Sequence, residues 1–172
     1  SIHLTREMEN IAFNLENIIF KDNSYDNTLI LICADHGQVK VDNKTNIYLN
    51  EKLPELNKYS YELATGQIAY PIGSPRDYFF KVRDNKDILH IQNIFQRALG
   101  SKYLVLNYEE LVNNKIIIDS DIFRKRFPDI AVLPKRGHSI FINDDKFSLD
   151  KKGHHGGLTD DEMFTPLISI SI

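Results

Sequence analysis

The sequence predicts an α/β fold with a mostly parallel sheet, interrupted by an inserted cap of mixed α and β structure. Three observations lead to this prediction. An amphipathic pattern over residues 4–20 precedes an apolar run over residues 28–34, which is the order of helix and buried strand in α/β folds. Over residues 45–150, short candidate strands mix with helices. An apolar, β-branched run at residues 167–172 then returns to a strand pattern.

The first core segment is expected to be a helix that leads into a buried strand. Apolar residues recur at three- and four-residue spacing from Leu4 to Ile19, so they share one helix face. Residues 29–34 are apolar throughout, as in a strand covered on both faces of a parallel sheet. The run ends at Asp35-His36-Gly37, and ligand groups gather at the carboxyl ends of strands in such folds.

The middle of the chain is expected to form the inserted cap. Apolar runs there predict six short strands, at residues 68–70, 78–82, 102–106, 116–118, 130–133 and 139–142. Helical spacing predicts helices over residues 88–99 and 108–113, and Gly100 suits the end of the first. Residues 71–75 and 134–137 contain the Pro and Gly typical of turns.

The predicted domain boundaries follow from these changes of pattern. Residues 1–44 form the first core segment, residues 45–150 the cap subdomain, and residues 151–172 the second core segment. In the last segment Thr159-Asp160-Asp161-Glu162 is a capping-box sequence, which predicts a short helical turn. Glu162 has an alternative interpretation, as a carboxylate that orients a metal-binding histidine.

Composition narrows the classes of function. The chain has 172 residues, and 21 basic against 24 acidic side chains give a net charge of -3, so no nucleic-acid polymer is expected as a partner. A single cysteine, Cys33, excludes an internal disulfide framework and fits a reducing compartment. Because no signal-peptide pattern or membrane-spanning apolar segment is visible, a cytoplasmic location is expected.

The tripeptide Asp35-His36-Gly37 is the first candidate site. A carboxylate and an imidazole at a strand end can both reach one zinc-like cation, and Gly37 allows a sharp turn without obstruction. The tripeptide alone is also compatible with a turn capped by Asp35 and a surface histidine.

Residues 153–159, Gly-His-His-Gly-Gly-Leu-Thr, are the second candidate site. Two histidines among three glycines could wrap closely around a metal ion or a phosphate. A glycine-rich loop that merely contains histidines is the alternative.

Together these motifs resemble the type I phosphodiesterase and nucleotide pyrophosphatase branch of the alkaline phosphatase superfamily. Residues 29–38 look like the family's buried strand ending in Asp-His-Gly. Residues 153–163 look like its closing His-Gly-Gly-Leu-Thr-x-x-Glu-Met segment, and residues 166–168 continue that likeness. Residues 71–77 and 129–134 look like parts of its inserted region. The fold implied is part of an alkaline-phosphatase-like core with the cap inserted into it.

The resemblance implies two divalent cations bridged by the reacting phosphate, usually zinc, with manganese or iron as alternatives. Asp35 and His36 would bind one cation, and His155, which directly precedes Gly-Gly, would bind the other. His3, just ahead of the predicted helix, is a further candidate ligand and could equally be a terminal residue without a role. Paired cations ~3.5–4 Å apart can stabilise both the attacking and the leaving oxygens.

The resemblance also implies that the nucleophilic Thr or Ser and a further metal-binding Asp lie upstream of this chain. The intact protein is expected to hydrolyse a small phosphorylated or nucleotide-like substrate, and the chain alone is expected to be inactive. Two alternatives stay open: a non-catalytic binding domain that keeps the fold, and a phosphomutase or sulfatase of the same superfamily. Arg76 and Arg136 are candidates for contact with a substrate phosphate.

Overall fold

The chain forms two compact units. The computed structural model describes residues 2–21, 25, 27–69, 71–143 and 151–171. One unit comprises Ser1–Asp35 and Thr165–Ile172, and the other comprises His36–Phe164. The predicted cap boundaries at residues 45 and 150 stay a prediction, and residue 150 itself lies outside the described residues.

The described residues contain six α-helices and ten strands. The helices are α1 (Ile2–Asn14), α2 (Leu49–Lys52), α3 (Ile88–Leu99), α4 (Tyr108–Asn113), α5 (Asp121–Arg126) and α6 (Asp160–Met163). The strands are β1 (Leu29–Cys33), β2 (Val39–Lys40), β3 (Asn46–Tyr48), β4 (Ile72–Ser74), β5 (Asp77–Phe80), β6 (Tyr103–Asn107), β7 (Ile130–Pro134), β8 (Ser139–Phe141), β9 (Gly153–His154) and β10 (Leu167–Ser171).

The first unit contains α1, which continues as a π-helical turn over Leu15–Ile19, and a two-stranded sheet of β1 and β10. The two strands run antiparallel, with Cys33 opposite Leu167. Exposed and half-buried positions alternate along β1, and Leu31 is 57% exposed. The prediction that this strand is covered on both faces is therefore wrong within this chain, because only one partner strand and one partly covered face are present among the described residues.

The second unit is built around an antiparallel sheet in the order β4-β5-β7-β6. One face of α3 packs on this sheet, where Ile91 and Phe95 are fully buried. The ring of Phe95 meets that of Phe80 edge-on at 5.6 Å between centroids. Two smaller ladders pair early strands of this unit with late ones: β2 pairs with β9, and β3 pairs with β8.

The predicted α/β class is confirmed, whereas the mostly parallel sheet is matched only in part. Among the described strands, β3 and β8 form the one parallel ladder. The reason is visible at β4 and β5, which are joined by only Pro75 and Arg76. Such a short connection reverses the chain, whereas parallel neighbours need a crossover of a dozen or more residues.

Several local predictions are confirmed and three are wrong. Helices α3 and α4 have the predicted bounds. The predicted turn at residues 71–75 contains β4, which its ladder with β5 makes extended. Residues 116–118 form no strand, because Ile118 is 88% exposed and no strand pairs with this segment among the described residues. At residues 68–70, Ile68 forms only an isolated bridge, and residue 70 lies outside the described residues.

No helix in the described part of the chain is both long enough and apolar enough to cross a membrane.

Candidate functional site

The structure brings together two histidines from the two candidate motifs. The rings of His36 and His155 stack face to face, with 3.8 Å between centroids and 15° between planes. His36 is the first residue of the second unit, and His155 directly follows β9. Their role as metal ligands stays a prediction, but imidazoles from opposite ends of the second unit meet at one place.

A hydrogen bond orients the imidazole of His36. Its Nδ1 lies 2.9 Å from the main-chain oxygen of Gly37, which can only accept, so Nδ1 is the protonated nitrogen. In the neutral ring the lone pair then resides on Nε2. Histidines that bind metals show this arrangement, in which one nitrogen donates to a carbonyl and the other faces the cation.

The adjacent histidines His154 and His155 have different surroundings. His154 belongs to β9, and its Nε2 lies 3.0 Å from the oxygen of Lys151. Its ring also meets Phe141 edge-on at 5.9 Å. Because successive side chains of an extended chain point to opposite sides, only His155 reaches His36. The preference for His155 over His154 is thus compatible with the geometry.

The other predicted ligands lie in the first unit. Asp35 has an exposed side chain and directly precedes His36 in the chain. His3 lies inside the first turn of α1, with an exposed side chain, so the prediction that it precedes the helix is wrong. The helix already includes Ile2 and His3, two residues before the start at residue 4 that the apolar spacing predicted. Cys33, at the end of β1, is exposed.

The donor types suit a zinc-like cation only as part of a larger site. Imidazole and carboxylate are normal zinc ligands, and the stacking places two imidazole donors side by side. Within residues 2–21, 25, 27–69, 71–143 and 151–171, however, no group of three or more His, Cys, Asp or Glu side chains could hold a metal ion. A complete site of this kind needs further donors.

A buried ion pair lies next to the histidine loop, which we define as residues 153–159. Arg76 and Glu162 have side chains 0% and 1% exposed, and they form a two-pronged contact. Nε of Arg76 donates to Oε1 of Glu162 at 2.9 Å, and Nη2 donates to Oε2 at 2.8 Å. Nη1 of Arg76 donates to the main-chain oxygens of Lys135, at 2.9 Å, and His138. Arg76 is therefore fully engaged within the protein, which does not fit contact with a substrate phosphate.

Hydrogen bonds keep the Glu162 carboxyl ionised. Burial by itself would raise its pKa, but hydrogen bonds from Arg76, Thr159 and Gly157 outweigh burial and lower the pKa to about 2. Glu162 also completes the predicted capping box with Thr159 at the start of α6. The carboxylate thus has two roles, as a cap and as the partner of Arg76.

Three glycines allow close packing around this pair. A Cβ on Gly157 would lie 2.8 Å from Oε2 of Glu162 and 3.0 Å from Nη2 of Arg76. Gly156 has a φ of +115°, and its Cβ would lie 2.7 Å from Oγ of Ser74. A Cβ on Gly37 would lie 2.0 Å from the main-chain oxygen of Asp161. At all three positions, the absence of a side chain leaves room for neighbouring groups that any Cβ would displace.

The turn between β4 and β5 supports the histidine loop from the other side. The main-chain N–H of Ser74 donates to Oδ1 of Asp77 at 2.8 Å, which closes the turn. Oγ of Ser74 contacts the Asp77 carboxylate and lies 3.1 Å from the main-chain oxygen of His155. The turn therefore lies directly against the backbone of the histidine motif.

Sequence reasoning missed the partnership of Arg76 with Glu162. The sequence indicates a different role for each residue: contact with a substrate phosphate for Arg76, and a helix cap or the orientation of a metal-binding histidine for Glu162. The available signal was that both lie in segments carrying the family resemblance. Arg136, the other candidate for phosphate, is 76% exposed and pairs with Asp161 at 2.9 Å.

Comparisons with known proteins place the chain in a family. The family model described as type I phosphodiesterase / nucleotide pyrophosphatase matches residues 15–158, which is most of the chain. A comparison with curated proteins gives no significant match.

Solved structures share the fold at low sequence identity. Human ectonucleotide pyrophosphatase / phosphodiesterase 5 superposes with a TM-score of 0.67 and 15% identity, over 94% of this chain and 38% of that chain. An inactive variant of the murine protein in complex with AMP gives 0.65 and 14%, over 94% and 38%. Phosphonoacetate hydrolase from Sinorhizobium meliloti 1021, in complex with phosphonoformate, gives 0.57 and 20%, over 82% and 35%.

The chain therefore spans less than two-fifths of the length of each of these proteins. The alkaline-phosphatase-like fold is shared with all three, although the sheet details of this chain agree only partly. The match over residues 15–158 is decisive: this chain belongs to the type I phosphodiesterase / nucleotide pyrophosphatase family.

Proposed function

We propose that this chain is part of a metal-dependent phosphoester hydrolase of the phosphodiesterase or nucleotide pyrophosphatase type. In this proposal Asp35 and His36 bind one divalent cation, and His155 binds a second. Zinc is the proposed metal, with manganese and iron as alternatives, because imidazole and carboxylate donors suit these ions. The substrate is a small phosphorylated or nucleotide-like molecule.

The stacking of His36 on His155 is the observation that carries the proposal. Two parallel imidazoles at this spacing can each serve one of two neighbouring cations, and Nδ1 of His36 already donates to Gly37 as in metal-binding histidines. Bound cations would neutralise charge on the phosphate oxygens and polarise the phosphorus centre. The chain's own residues hold the donors in place and leave His155 exposed towards solvent.

The proposal assigns the nucleophilic Thr or Ser and the remaining metal donors to an upstream segment. The substrate class is supported by the AMP complex of the murine protein and the phosphonoformate complex of the bacterial hydrolase. We further propose that the cap, residues 45–150, sets the preference among leaving groups. A cytoplasmic location stays a prediction.

A second candidate is a non-catalytic binding domain that keeps the fold. The observation that favours it is the lack of a group of three or more metal-donor side chains among the described residues. Metal binding at His36 and His155 distinguishes the two candidates, because a domain without a metal role has no need of that pair.

Zinc titration of the chain tests the proposed ligands directly. Imidazole ¹⁵N shifts are followed by NMR while Zn²⁺ is raised to millimolar concentration, since an incomplete site binds weakly. We expect the signals of His36 and His155 to move together, and both shifts to be lost in His36→Ala and His155→Ala. His154→Ala is the matched control, because His154 is adjacent in the chain but bonded to Lys151. Equal shifts of all histidines, or none, would refute the assignment.

Hydrolysis by the intact protein tests the reaction class. We expect turnover of a nitrophenyl phosphodiester to fall more than ~100-fold in His36→Ala and His155→Ala, since even changes around metal ligands cost 10–100-fold. His154→Ala should retain activity. Faster turnover of a nitrophenyl sulfate than of a nitrophenyl phosphodiester or monoester would instead assign a sulfatase. Phosphate transfer within a sugar phosphate would assign a phosphomutase.

A further inference from the structure

Glu162 makes hydrogen bonds next to both histidines of the candidate site. Its main-chain oxygen accepts from the N–H of Gly37 at 2.9 Å, and Gly37 directly follows His36. Its Oε1 accepts from the N–H of Gly157 at 3.0 Å, two residues after His155. One residue therefore fixes the backbone on both sides of the stacked imidazoles.

Arg76 fixes Glu162 in turn. Its guanidinium holds both carboxylate oxygens and also binds the loop that contains Lys135 and His138. The main-chain N–H of Arg76 lies 3.2 Å from Oγ of Ser74, which lies 3.1 Å from the main-chain oxygen of His155. The pair thus contacts the histidine loop from the side of Glu162 and from the side of the β4–β5 turn.

Stability alone does not account for a buried ion pair. Replacing such a pair with apolar residues of similar volume is often neutral or stabilising, because both charges lose their hydration on burial. A capping box, likewise, needs only the reciprocal bonds between Thr159 and Glu162. What the pair adds is a fixed orientation of the Glu162 carboxylate, since a guanidinium and a carboxylate meet in one planar geometry.

We propose that Arg76 and Glu162 are positioning residues that hold His155 and His36 in their stacked arrangement. Their effect on metal binding rests on the proposed function, whereas their effect on the two imidazoles does not. They act through the backbone at Gly37 and Gly157 and touch neither the metal nor the substrate.

The test compares variants in the metal-free and in the zinc-titrated chain. Arg76→Met combined with Glu162→Leu removes both charges together, so no buried charge is left unpaired. Glu162→Asp keeps the charge beside Arg76 but shortens the side chain, so it serves as a second variant if the first does not fold. Arg136→Ala is the matched control, because it removes the exposed ion pair with Asp161 in the same region.

The decisive readout is the nuclear Overhauser effect between the rings of His36 and His155 without metal. We expect it in the unaltered chain and in Arg136→Ala, and we expect its loss in the two site variants at an unchanged fold by circular dichroism. Zn²⁺ affinity at these histidines should fall ~10–100-fold, as for other residues that orient metal ligands. A folded variant that keeps both the Overhauser effect and the affinity would overturn the inference.

The two proposals fail in different ways. If the unaltered chain shows no zinc-induced shifts but the variants lose the Overhauser effect, the proposed function fails and the positioning role stands. If zinc binds His36 and His155 equally well in the unaltered chain and in the folded variants, and those variants also keep the Overhauser effect, the positioning role fails and the proposed function stands.

Discussion

Gly157 leaves no space for a side chain beside Glu162, since a Cβ there would lie 2.8 Å from Oε2 of the carboxylate. The Gly-Gly of the histidine motif is therefore required by packing. Because the carboxylate is held by Arg76 and cannot swing away, a larger residue at position 157 must displace the ion pair or the loop.

Gly157→Ala is expected to destabilise the protein by about 1–3 kcal/mol, the usual cost of overpacking a close-packed site. The free energy of unfolding in urea measures it. Gly153→Ala is the matched control, because its Cβ would meet only the end of the flexible Gln38 side chain at 3.2 Å. Equal stability of the two variants would contradict the packing argument.

Glu162→Gln is expected to cost about 3–5 kcal/mol of unfolding free energy, because it leaves the buried guanidinium of Arg76 without its counter-charge. Asp161→Asn is the control in the neighbouring residue, since the partner of Asp161, Arg136, is 76% exposed. That substitution should change stability little. Urea unfolding of both variants at neutral pH checks the difference.

Stability should fall in acid because of Glu162. Its pKa is lowered from 4.5 to about 2 in the folded protein, so the unfolded chain binds the proton more readily. The stabilisation is therefore complete above about pH 4.5 and is lost as the pH falls towards 2. Urea unfolding over this range should give a steeper loss for the unaltered chain than for Arg76→Met combined with Glu162→Leu. Parallel curves would contradict the assignment to Glu162.

The core of the second unit depends on the inner face of α3. Ile91 is fully buried against the sheet, so Ile91→Ala should cost about 2–5 kcal/mol through lost burial and the cavity left behind. Leu89, in the same helix, is 65% exposed, and Leu89→Ala should have a small effect. Thermal and urea unfolding of the two variants test which face is buried.

Two buried tyrosines should respond to loss of the hydroxyl with opposite signs. Tyr78 has no hydrogen-bond partner for its Oη among the described residues, and burial raises its pKa. Tyr78→Phe should therefore be neutral or stabilising, by up to about 1 kcal/mol. Oη of Tyr103 donates to the main-chain oxygen of Ser139 at 3.0 Å, so Tyr103→Phe should cost about 1 kcal/mol of unfolding free energy. A clear loss of stability in Tyr78→Phe would contradict the prediction that the hydroxyl of Tyr78 makes no stabilising hydrogen bond.

Elements with local signals could be predicted from the sequence. Helix α3 has apolar residues at helical spacing and ends at Gly100, and α4 has its capping box in Asn107 and Glu110. These signals lie within a few residues of each other, so they can be recognised without knowledge of any distant contact. Strand pairing has no such signal, and residues 116–118 show that an apolar β-branched run forms no strand when a partner is missing.

The candidate site divides in the same way. The histidine motifs and the family could be recognised from the order of residues, because the residue types and spacing in those segments match the family's motifs. The ion pair of Arg76 with Glu162 could not, because each side chain has an ordinary local interpretation. Only folding removes water from both and leaves each as the other's partner.

The sequence by itself determined the family, the α/β class, helices α3 and α4, the helical turn of α6 and the two histidine motifs. Tertiary structure alone decided that His36 stacks on His155 and that Glu162 bonds to the backbone beside both. The physical reason is range: helix spacing and caps depend on residues a turn apart, whereas stacking and buried charge pairing depend on which distant segments the hydrophobic core brings into contact.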